Sequence, residues 1–109
     1  MTTYDVRHFR TADGADVFGE WFDSLPDRPT QQRIAVRIDR LALGLFGDAK
    51  PLREGVCELR IDQGPGYRVY YAIAGRAVVL LLCGGEKRAQ RRDITRAIEY
   101  WQEFKATQK

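Results

Sequence analysis

The sequence contains very few of the residues that most catalytic centres need. Its 109 residues include one histidine, His8, one serine, Ser24, and two cysteines, Cys57 and Cys83. A Ser-His-Asp hydrolase would have to use both His8 and Ser24, and Ser24 has no Gly-x-Ser-x-Gly context. One histidine and two widely spaced cysteines cannot form a standard zinc site, and the sequence has neither a Walker A nor a Gly-x-Gly-x-x-Gly motif. We therefore expect neither a metal nor a cofactor.

Long apolar runs are also missing. The longest covers residues 77–83, far short of the roughly 20 residues that a membrane span needs. The first residues, Met-Thr-Thr-Tyr-Asp, have no basic flank leading into an apolar stretch, so no signal peptide is predicted. The cysteines lie within apolar segments and form no Cys-x-x-Cys pair, which is typical of reduced, buried thiols. We expect one domain over residues 1–109, in the cytoplasm and without membrane contact.

The positive charge comes from arginine and lies toward the C-terminal half. Of the 18 cations, 14 are arginine, and the net charge is +3. Residues 1–52 carry seven cations and eight anions, whereas residues 53–109 carry 11 cations and seven anions. The guanidinium fork binds phosphate and stacks on bases, so this distribution indicates a nucleic-acid partner. A GC-rich genome would produce the same arginine excess, and charge alone leaves both explanations open.

Hydrophobic periodicity predicts a strand and two helices in the first half of the chain. Residues 4–9 alternate as a strand, with Tyr4, Val6 and His8 on one face. A first helix follows and ends at Pro26, and a second begins near Thr30. We expect this helical hairpin to pack on one face of a sheet.

Three strands and one helix are predicted in the second half. The strands cover residues 57–62, 67–73 and 76–83, and Gly84-Gly85 is expected to break the last of them. Helical periodicity returns from about Ala89. The order β-α-α-β-β-β-α predicts an α+β fold with a mostly antiparallel sheet, covered by the helical hairpin on one face and basic and open on the other.

A polar surface is predicted on the open face of the second and third strands. These strands form a hairpin, so their side chains that point away from the core share one side of the sheet. Glycines 84 and 85 let the chain present two further cations, and two more precede the second strand. Such a surface suits a phosphodiester with a stacked base, and the same forces would hold an acidic protein segment. Its members are Glu58, Arg60, Arg68, Tyr70, Lys87, Arg88, Lys50 and Arg53.

Each of these features also has a purely structural explanation. Glu58 and Arg60 could pair with charges on a neighbouring strand, a contact worth little at a surface. Gly64-Pro65-Gly66 is more typical of a turn than of a phosphate-binding loop. The basic run 87–92 could be a solvated helix start, although cations beside a helix N-terminus also attract anions. His8 on a strand is more typical of a structural histidine than of a catalyst.

Five segments of the sequence resemble the RelE/ParE superfamily of toxins, most closely its HigB-like, phage-derived addiction module killer branch. They are GDAKPL at 47–52, GVCELRI at 55–61, GPGYRVYY at 64–71, LLLCGGEK at 80–87, and Gln90 with Asp93-Ile94. The resemblance covers essentially the whole chain. It implies the toxin of a type II toxin–antitoxin module, neutralised by a small helix-turn-helix antitoxin in a hetero-oligomer.

The resemblance implies three alternative activities. Most RelE-like and HigB-like members are mRNA interferases that cleave messenger RNA on the ribosome and so inhibit translation and growth. ParE-like members inhibit DNA gyrase without catalysis. A degenerate prophage remnant would bind only its antitoxin. Fold resemblance alone does not decide between cleavage and gyrase inhibition, but together with the expected cationic face of Arg60, Arg68 and Lys87 it makes a ribosome-dependent mRNA endonuclease the leading hypothesis.

The resemblance also implies roles for individual residues. Arg68 corresponds to the arginine that acts on the scissile phosphate, Arg60 to a basic residue on the preceding strand, and Lys87 or Arg88 to one after the last long strand. The implied reaction is metal-independent attack of the ribose 2′-hydroxyl, with cations stabilising the phosphorane. This chain lacks the C-terminal tyrosine or histidine that several members use for proton transfer or stacking. Proton transfer would fall to ribosomal RNA or to one of three side chains, while further cations bind RNA. The side chains are Glu58, Tyr70 and Glu86, and the RNA-binding cations are Lys50, Arg53, Arg88 and Arg91.

Overall fold

A five-stranded sheet forms the middle layer of the fold in a computed structural model that describes residues 3–108. The elements are β1 (Asp5–His8), α1 (Val17–Asp23), α2 (Arg28–Ala42), β2 (Ala49–Pro51), β3 (Cys57–Ile61), β4 (Tyr67–Ala74), β5 (Val78–Glu86) and α3 (Gln90–Thr107). The strand order is β1-β5-β4-β3-β2. β1 pairs with β5 in parallel, and the other pairs are antiparallel. The predicted α+β fold with a mostly antiparallel sheet is confirmed.

Each face of the sheet carries its own hydrophobic core. On one face, Phe18 of α1 and Ile34 and Leu41 of α2 pack against the apolar side chains of β3, β4 and β5. This confirms the predicted helical hairpin. On the other face, Ala97 and Trp101 of α3 pack against β4 and β5. Because α3 covers the middle of that face, its open part is narrower than the sequence predicts.

The two N-terminal helices begin at aspartates that satisfy their first amides. The Asp16 carboxylate accepts a hydrogen bond from Gly19 N at 2.9 Å, and the Asp27 carboxylate accepts one from Thr30 N at 2.8 Å. Pro29 fits in the first turn of α2, where its missing N–H costs no helical hydrogen bond. α2 therefore starts at Arg28, two residues before the predicted position.

The structure contains one strand that was not predicted, and one prediction about the strands is wrong. Strand β2 was not predicted, because three residues that include Pro51 show no alternation. Strand β5 was expected to break at Gly84-Gly85, but it continues to Glu86. Gly84 lies against the Trp21 ring and Gly85 against the Asp93 carboxylate, so these glycines are needed for close packing.

No helix within residues 3–108 combines the length and the apolar character that crossing a lipid bilayer requires. Met1 and Thr2, which belong to the N-terminal segment considered above, lie outside the described residues, and so does Lys109.

Candidate nucleic-acid interface

A single buried carboxylate, that of Glu58 on β3, joins three elements. It is fully buried, and its Oε1 accepts a hydrogen bond from Arg60 Nε at 2.9 Å. Arg68 Nε on β4 lies 3.7 Å from the same oxygen. The side-chain amide of Gln90, the first residue of α3, donates to Oε2. Glu58 therefore holds two arginines and the start of α3 in one cluster.

The two arginines of this cluster are direct cross-strand partners. Arg60 and Arg68 face each other in the β3–β4 register, where like charges repel. Glu58 offsets this repulsion, and its hydrogen bond to Arg60, followed by its charge, raises the pKa of that guanidinium. The Arg60 side chain is 36% exposed and that of Arg68 10%. The Glu58 carboxylate therefore neutralises only one of the two guanidinium charges, and the remaining positive charge faces outward.

Further cations surround this pair. Lys50 on β2 is the cross-strand partner of Glu58 and is exposed. Arg53 and Arg91 line a depression of about 270 Å³ beside Gln90. The backbone N–H of Lys87 donates to Gly66 O at 2.7 Å. A Cβ built on Gly66 would lie 3.4 Å from Lys87 Cβ and 3.7 Å from Arg68 Nη1, so Lys87 lies next to Arg68. We call this set the basic surface: Lys50, Arg53, Arg60, Arg68, Lys87 and Arg91.

Arg88 lies apart from the centre of the basic surface. Its side chain is 85% exposed, and its Nε lies 3.1 Å from Glu86 Oε1. With Arg91 and Arg92 it lines a second, open depression at the start of α3. Arg91 lines both depressions and so connects Arg88 to the basic surface.

The expectation that Tyr70 lies on an open face is wrong. Its side chain is fully buried under α3, and its hydroxyl has no hydrogen-bond partner among residues 3–108. Burial, followed by the negative charges of Glu58 and Asp93, raises the pKa of the Tyr70 phenol far above its ordinary value. In this structure Tyr70 is a neutral core residue, and its ring cannot stack on a base.

Asp93 is a buried member of the site that the sequence analysis did not identify. Its Oδ1 lies 3.2 Å from Arg96 Nη2 and 3.5 Å from Arg92 Nε. Its Oδ2 occupies the space above Gly85, which is the cross-strand partner of Arg68. One pattern in the sequence could have identified Asp93. It is a glycine inside a strand, followed by a single acidic residue in an arginine-rich helix start. Asp93 therefore packs on the Arg68 side of the sheet, but within residues 3–108 its ion pairs are with Arg92 and Arg96, and its Oδ2 has no hydrogen-bond partner.

His8 lies outside the basic surface and has a structural role. Its Nδ1 lies 2.9 Å from Asp16 Oδ2, and its ring meets Phe18 edge-on at 5.1 Å. Within residues 3–108, no group of three or more His, Cys, Asp or Glu side chains lies close enough together to hold a metal ion.

Burial of Cys83 predicts a loss of stability at alkaline pH. Burial raises the pKa of this thiol from 9.0 to about 12. Between these values the unfolded chain loses the proton and the folded chain keeps it, so folding becomes less favourable as pH rises. We expect Cys83 to contribute a loss of about 1 kcal/mol between about pH 8 and pH 10.

Urea denaturation at both pH values measures this loss. Cys57 and Tyr71 also have raised pKa values and act in the same direction, so the informative quantity is the difference between wild type and Cys83→Ala. Equal pH slopes for the two proteins would contradict the prediction.

Fold and site together define a small α+β protein with a cationic surface on its sheet. Residues 20–106, which include every member of the basic surface, match the family described as phage-derived protein Gp49-like (DUF891). The chain belongs to this family, which is associated with toxin–antitoxin modules. It is also 45% identical to an uncharacterized protein of Haemophilus influenzae over 80 residues, which cover 73% of this chain and 81% of the relative.

Proposed function

We propose that the protein is the toxin of a type II toxin–antitoxin module and cleaves messenger RNA on the ribosome. The observation that carries this proposal is the pair of opposed arginines, Arg60 and Arg68, held on one buried carboxylate beside Lys87. Membership of a family associated with toxin–antitoxin modules supports it. The proposed partners are ribosome-bound mRNA and a helix-turn-helix antitoxin, which forms a hetero-oligomer with the toxin.

In the proposed reaction, the ribose 2′-hydroxyl attacks the adjacent phosphorus. The bond to the 5′-oxygen then breaks and leaves a cyclic phosphate. Arg60, Arg68 and Lys87 stabilise the additional negative charge of the phosphorane, and cations fixed in advance are effective because they need no reorganisation. Lys50, Arg53, Arg88 and Arg91 bind the flanking phosphates. The proposed contacts are thus cations of strands β2 to β4, of the β2–β3 and β5–α3 connections and of the start of α3.

Glu58 and Tyr70 are buried beneath the basic surface, and in this proposal both have structural roles. Both oxygens of Glu58 already accept hydrogen bonds, from Arg60 and Gln90, so its role is to hold the guanidinium groups. Tyr70 is buried and neutral. Glu86 is the cross-strand partner of Tyr67, which packs on the hairpin side, so Glu86 lies on the opposite face of the sheet from Arg68. We therefore assign proton transfer to ribosomal RNA.

Mapping of transcript 5′ ends after induced expression tests the proposal. In cells without the antitoxin, the wild-type protein should stop translation and produce new mRNA 5′ ends. Lys87→Ala and Arg68→Ala should each reduce cleavage on the order of 10²-fold, because each removes a cation from the phosphorane. Lys87 is exposed, so its variant separates loss of charge from loss of folding. Arg33→Ala on α2 is the matched control, because Arg33 is an exposed arginine on the opposite side of the sheet.

Three outcomes would contradict the proposed activity. Intact mRNA in arrested cells excludes cleavage. Arrest with a DNA-damage response and normal mRNA would instead indicate a gyrase inhibitor. Normal growth on induction would indicate an inactive remnant that binds only its antitoxin.

A further inference from the structure

The side-chain amide of Gln90 has a fixed orientation at the start of α3. Its Nε2 donates to Glu58 Oε2, and a carboxylate only accepts hydrogen bonds. The NH2 end of the amide must therefore face Glu58, and the carbonyl oxygen Oε1 faces away from it. Within residues 3–108 no donor bonds to this oxygen. Gln90 thus presents a hydrogen-bond acceptor of fixed orientation beside the cluster of Arg60 and Arg68.

Gln90 lines the depression of about 270 Å³ described above. Because Glu58 is fully buried, the Nε2 end of the amide points inward and Oε1 points outward, toward the depression. We call this depression the Gln90 pocket, and its other members are Arg53, Arg91 and Ile94. The two arginines supply guanidinium donors, and Ile94 supplies an apolar surface. The volume is just below the range of about 300–1,000 Å³ typical of pockets for whole small molecules, so it suits a group of the size of one nucleobase.

Arg53 is held close to α3 by the connection between β2 and β3. Val56 N donates to Arg53 O at 3.1 Å, which closes a tight turn around Gly55. Gly55 has a φ of +87°, and a Cβ there would lie 2.8 Å from Trp101 Nε1. The turn therefore packs directly against α3, and the backbone that carries Arg53 is fixed beside the Gln90 pocket.

The carboxylates near these residues in the chain face other groups. Glu54 Oε2 accepts a hydrogen bond from Gln102 Nε2 at 3.4 Å, about three turns of α3 beyond Gln90. Asp93 packs against Gly85 of β5. Within residues 3–108, no carboxylate lines the Gln90 pocket. Its polar lining therefore consists of two cations and one neutral acceptor.

The neighbouring depression at the start of α3 has a different chemistry. Its lining includes Arg88, Arg91 and Arg92 and, within the described residues, no amide or carboxylate side chain. Phosphate oxygens only accept hydrogen bonds, so this lining suits a phosphate. In the Gln90 pocket a phosphate would meet the acceptor Oε1 and the apolar Ile94. A nucleobase has both hydrogen-bond donors on its edge and an apolar face, and it fits the Gln90 pocket better.

We propose that the Gln90 pocket binds one base of the messenger RNA and selects a base with an exocyclic amine beside a ring acceptor. This inference rests on the proposed function, which supplies the RNA. The amine donates to Gln90 Oε1, a guanidinium group donates to the ring acceptor, and Ile94 contacts the face of the base. Adenine and cytosine have this pattern. Uracil lacks the amine, and on the Watson–Crick edge of guanine the neighbour of the amine is itself a donor.

The Gln90 pocket adjoins the residues proposed to act on the scissile phosphate. Gln90 and Arg60 bond to the two oxygens of the same carboxylate, that of Glu58. The selected base therefore belongs to a nucleotide at or next to the cut. For Arg53 and Arg91, a base contact is added to the proposed phosphate contacts. Gln90 is in this way a specificity-determining residue.

Cleavage of a reporter message with single-base changes, in cells without the antitoxin, tests this inference. Each position of one cleaved codon and of its neighbours is changed in turn to all four bases. Cleavage is measured relative to a second, unchanged site in the same message. At one position, cleavage with adenine or cytosine should be about tenfold faster than with uracil. Gln90→Lys should reduce this ratio to about one, because lysine still donates to Glu58 but has no acceptor.

Gln102→Lys is the matched control. Gln102 is also a glutamine of α3 that donates to a glutamate, Glu54, but it lies outside the Gln90 pocket, so this variant should keep the wild-type ratio. Arg53→Ala gives a second measurement that leaves the bond between Gln90 and Glu58 in place, and Arg53 is exposed. It should reduce the ratio about threefold or more, because it removes a donor beside the base.

Four results would overturn the inference. Equal cleavage with all four bases at every position means that the Gln90 pocket selects no base, and the proposed function then stands. A preference for uracil or guanine contradicts the assigned hydrogen bonds. A preference that Gln90→Lys and Arg53→Ala both leave unchanged comes from other groups. If the wild-type protein cleaves no message, the proposed function fails, and this inference fails with it.

Discussion

Glu58→Gln is expected to lower the free energy of unfolding by about 3 kcal/mol, measured by urea denaturation near neutral pH. The substitution keeps the size of the side chain and removes its charge. Arg60 and Arg68 would then face each other across β3 and β4 with no anion between them. Arg60 can move into solvent, but Arg68 is nine-tenths buried, and an uncompensated buried charge accounts for most of the cost.

Glu86→Gln is the matched control for this substitution. Glu86 is also a strand glutamate paired with an arginine, but its partner Arg88 is 85% exposed. Exposed ion pairs contribute about 1 kcal/mol or less, so this variant should lose much less stability. Equal losses for Glu58→Gln and Glu86→Gln would show that Glu58 does not hold the two arginines.

The rate of mRNA cleavage gives a second test of the role of Glu58. If Glu58 positions Arg60 and Arg68, Glu58→Gln should reduce mRNA cleavage even at a temperature where the variant is fully folded. Replacing Glu58 and Arg68 together by leucine should recover part of the lost stability, because apolar pairs often replace buried ion pairs without loss. That double variant should stay inactive, which separates the stabilising effect of the cluster from its proposed chemistry.

The sequence predicted the core-facing sides of the strands because burial there follows a simple period of two. Leu59 and Val69, at alternate positions of β3 and β4, lie in the core against the helical hairpin as expected. The same period also placed Glu58, Arg68 and Tyr70 together on the opposite side. Alternation fixes which side of a sheet a residue faces, and this part of the site could be predicted for that reason.

The burial of those polar residues could not be predicted in the same way. An alternating pattern of apolar and polar residues looks the same whether the polar side meets water or another element. Here Gln90 at the start of α3 reaches Glu58, and α3 covers Tyr70. That cover depends on the path of the chain after β5, which local spacing does not encode. The sequence therefore placed these residues on the correct side of the sheet but with the wrong exposure.

Glycine is ambiguous for a related reason. In a sequence, Gly84-Gly85 has the same appearance whether it breaks a strand or leaves room for a neighbour. Only the positions of Trp21 and Asp93, one on each side of β5, show that the second explanation is correct. The start of α3 depends on this packing, because Asp93 can approach the strand only where no Cβ is present.

Gly85→Ala is accordingly expected to lower the free energy of unfolding by about 2 to 3 kcal/mol, through overpacking of a filled site. A Cβ at this position would overlap Asp93 Oδ2, which is fully buried and has little room to move. The helix start would have to shift away from β5, and with it Gln90, which donates to the Glu58 carboxylate that holds Arg68. We therefore expect mRNA cleavage to fall together with stability. Gly84→Ala should destabilise similarly through the Trp21 ring, with a change in tryptophan fluorescence.

A double-mutant cycle identifies the cause of this effect. If the overlap with Asp93 is responsible, Asp93→Ala should be tolerated better in the Gly85→Ala background than in wild type, with a coupling free energy of about 1 kcal/mol or more. Gly75→Ala is the control. Its φ of +62° makes alanine strained, but no atom lies within 4 Å of the added Cβ, so its effect should be additive with Asp93→Ala. Additive behaviour of Gly85→Ala and Asp93→Ala would instead place the cost in the backbone of β5 and would remove the proposed link between this glycine and the position of Arg68.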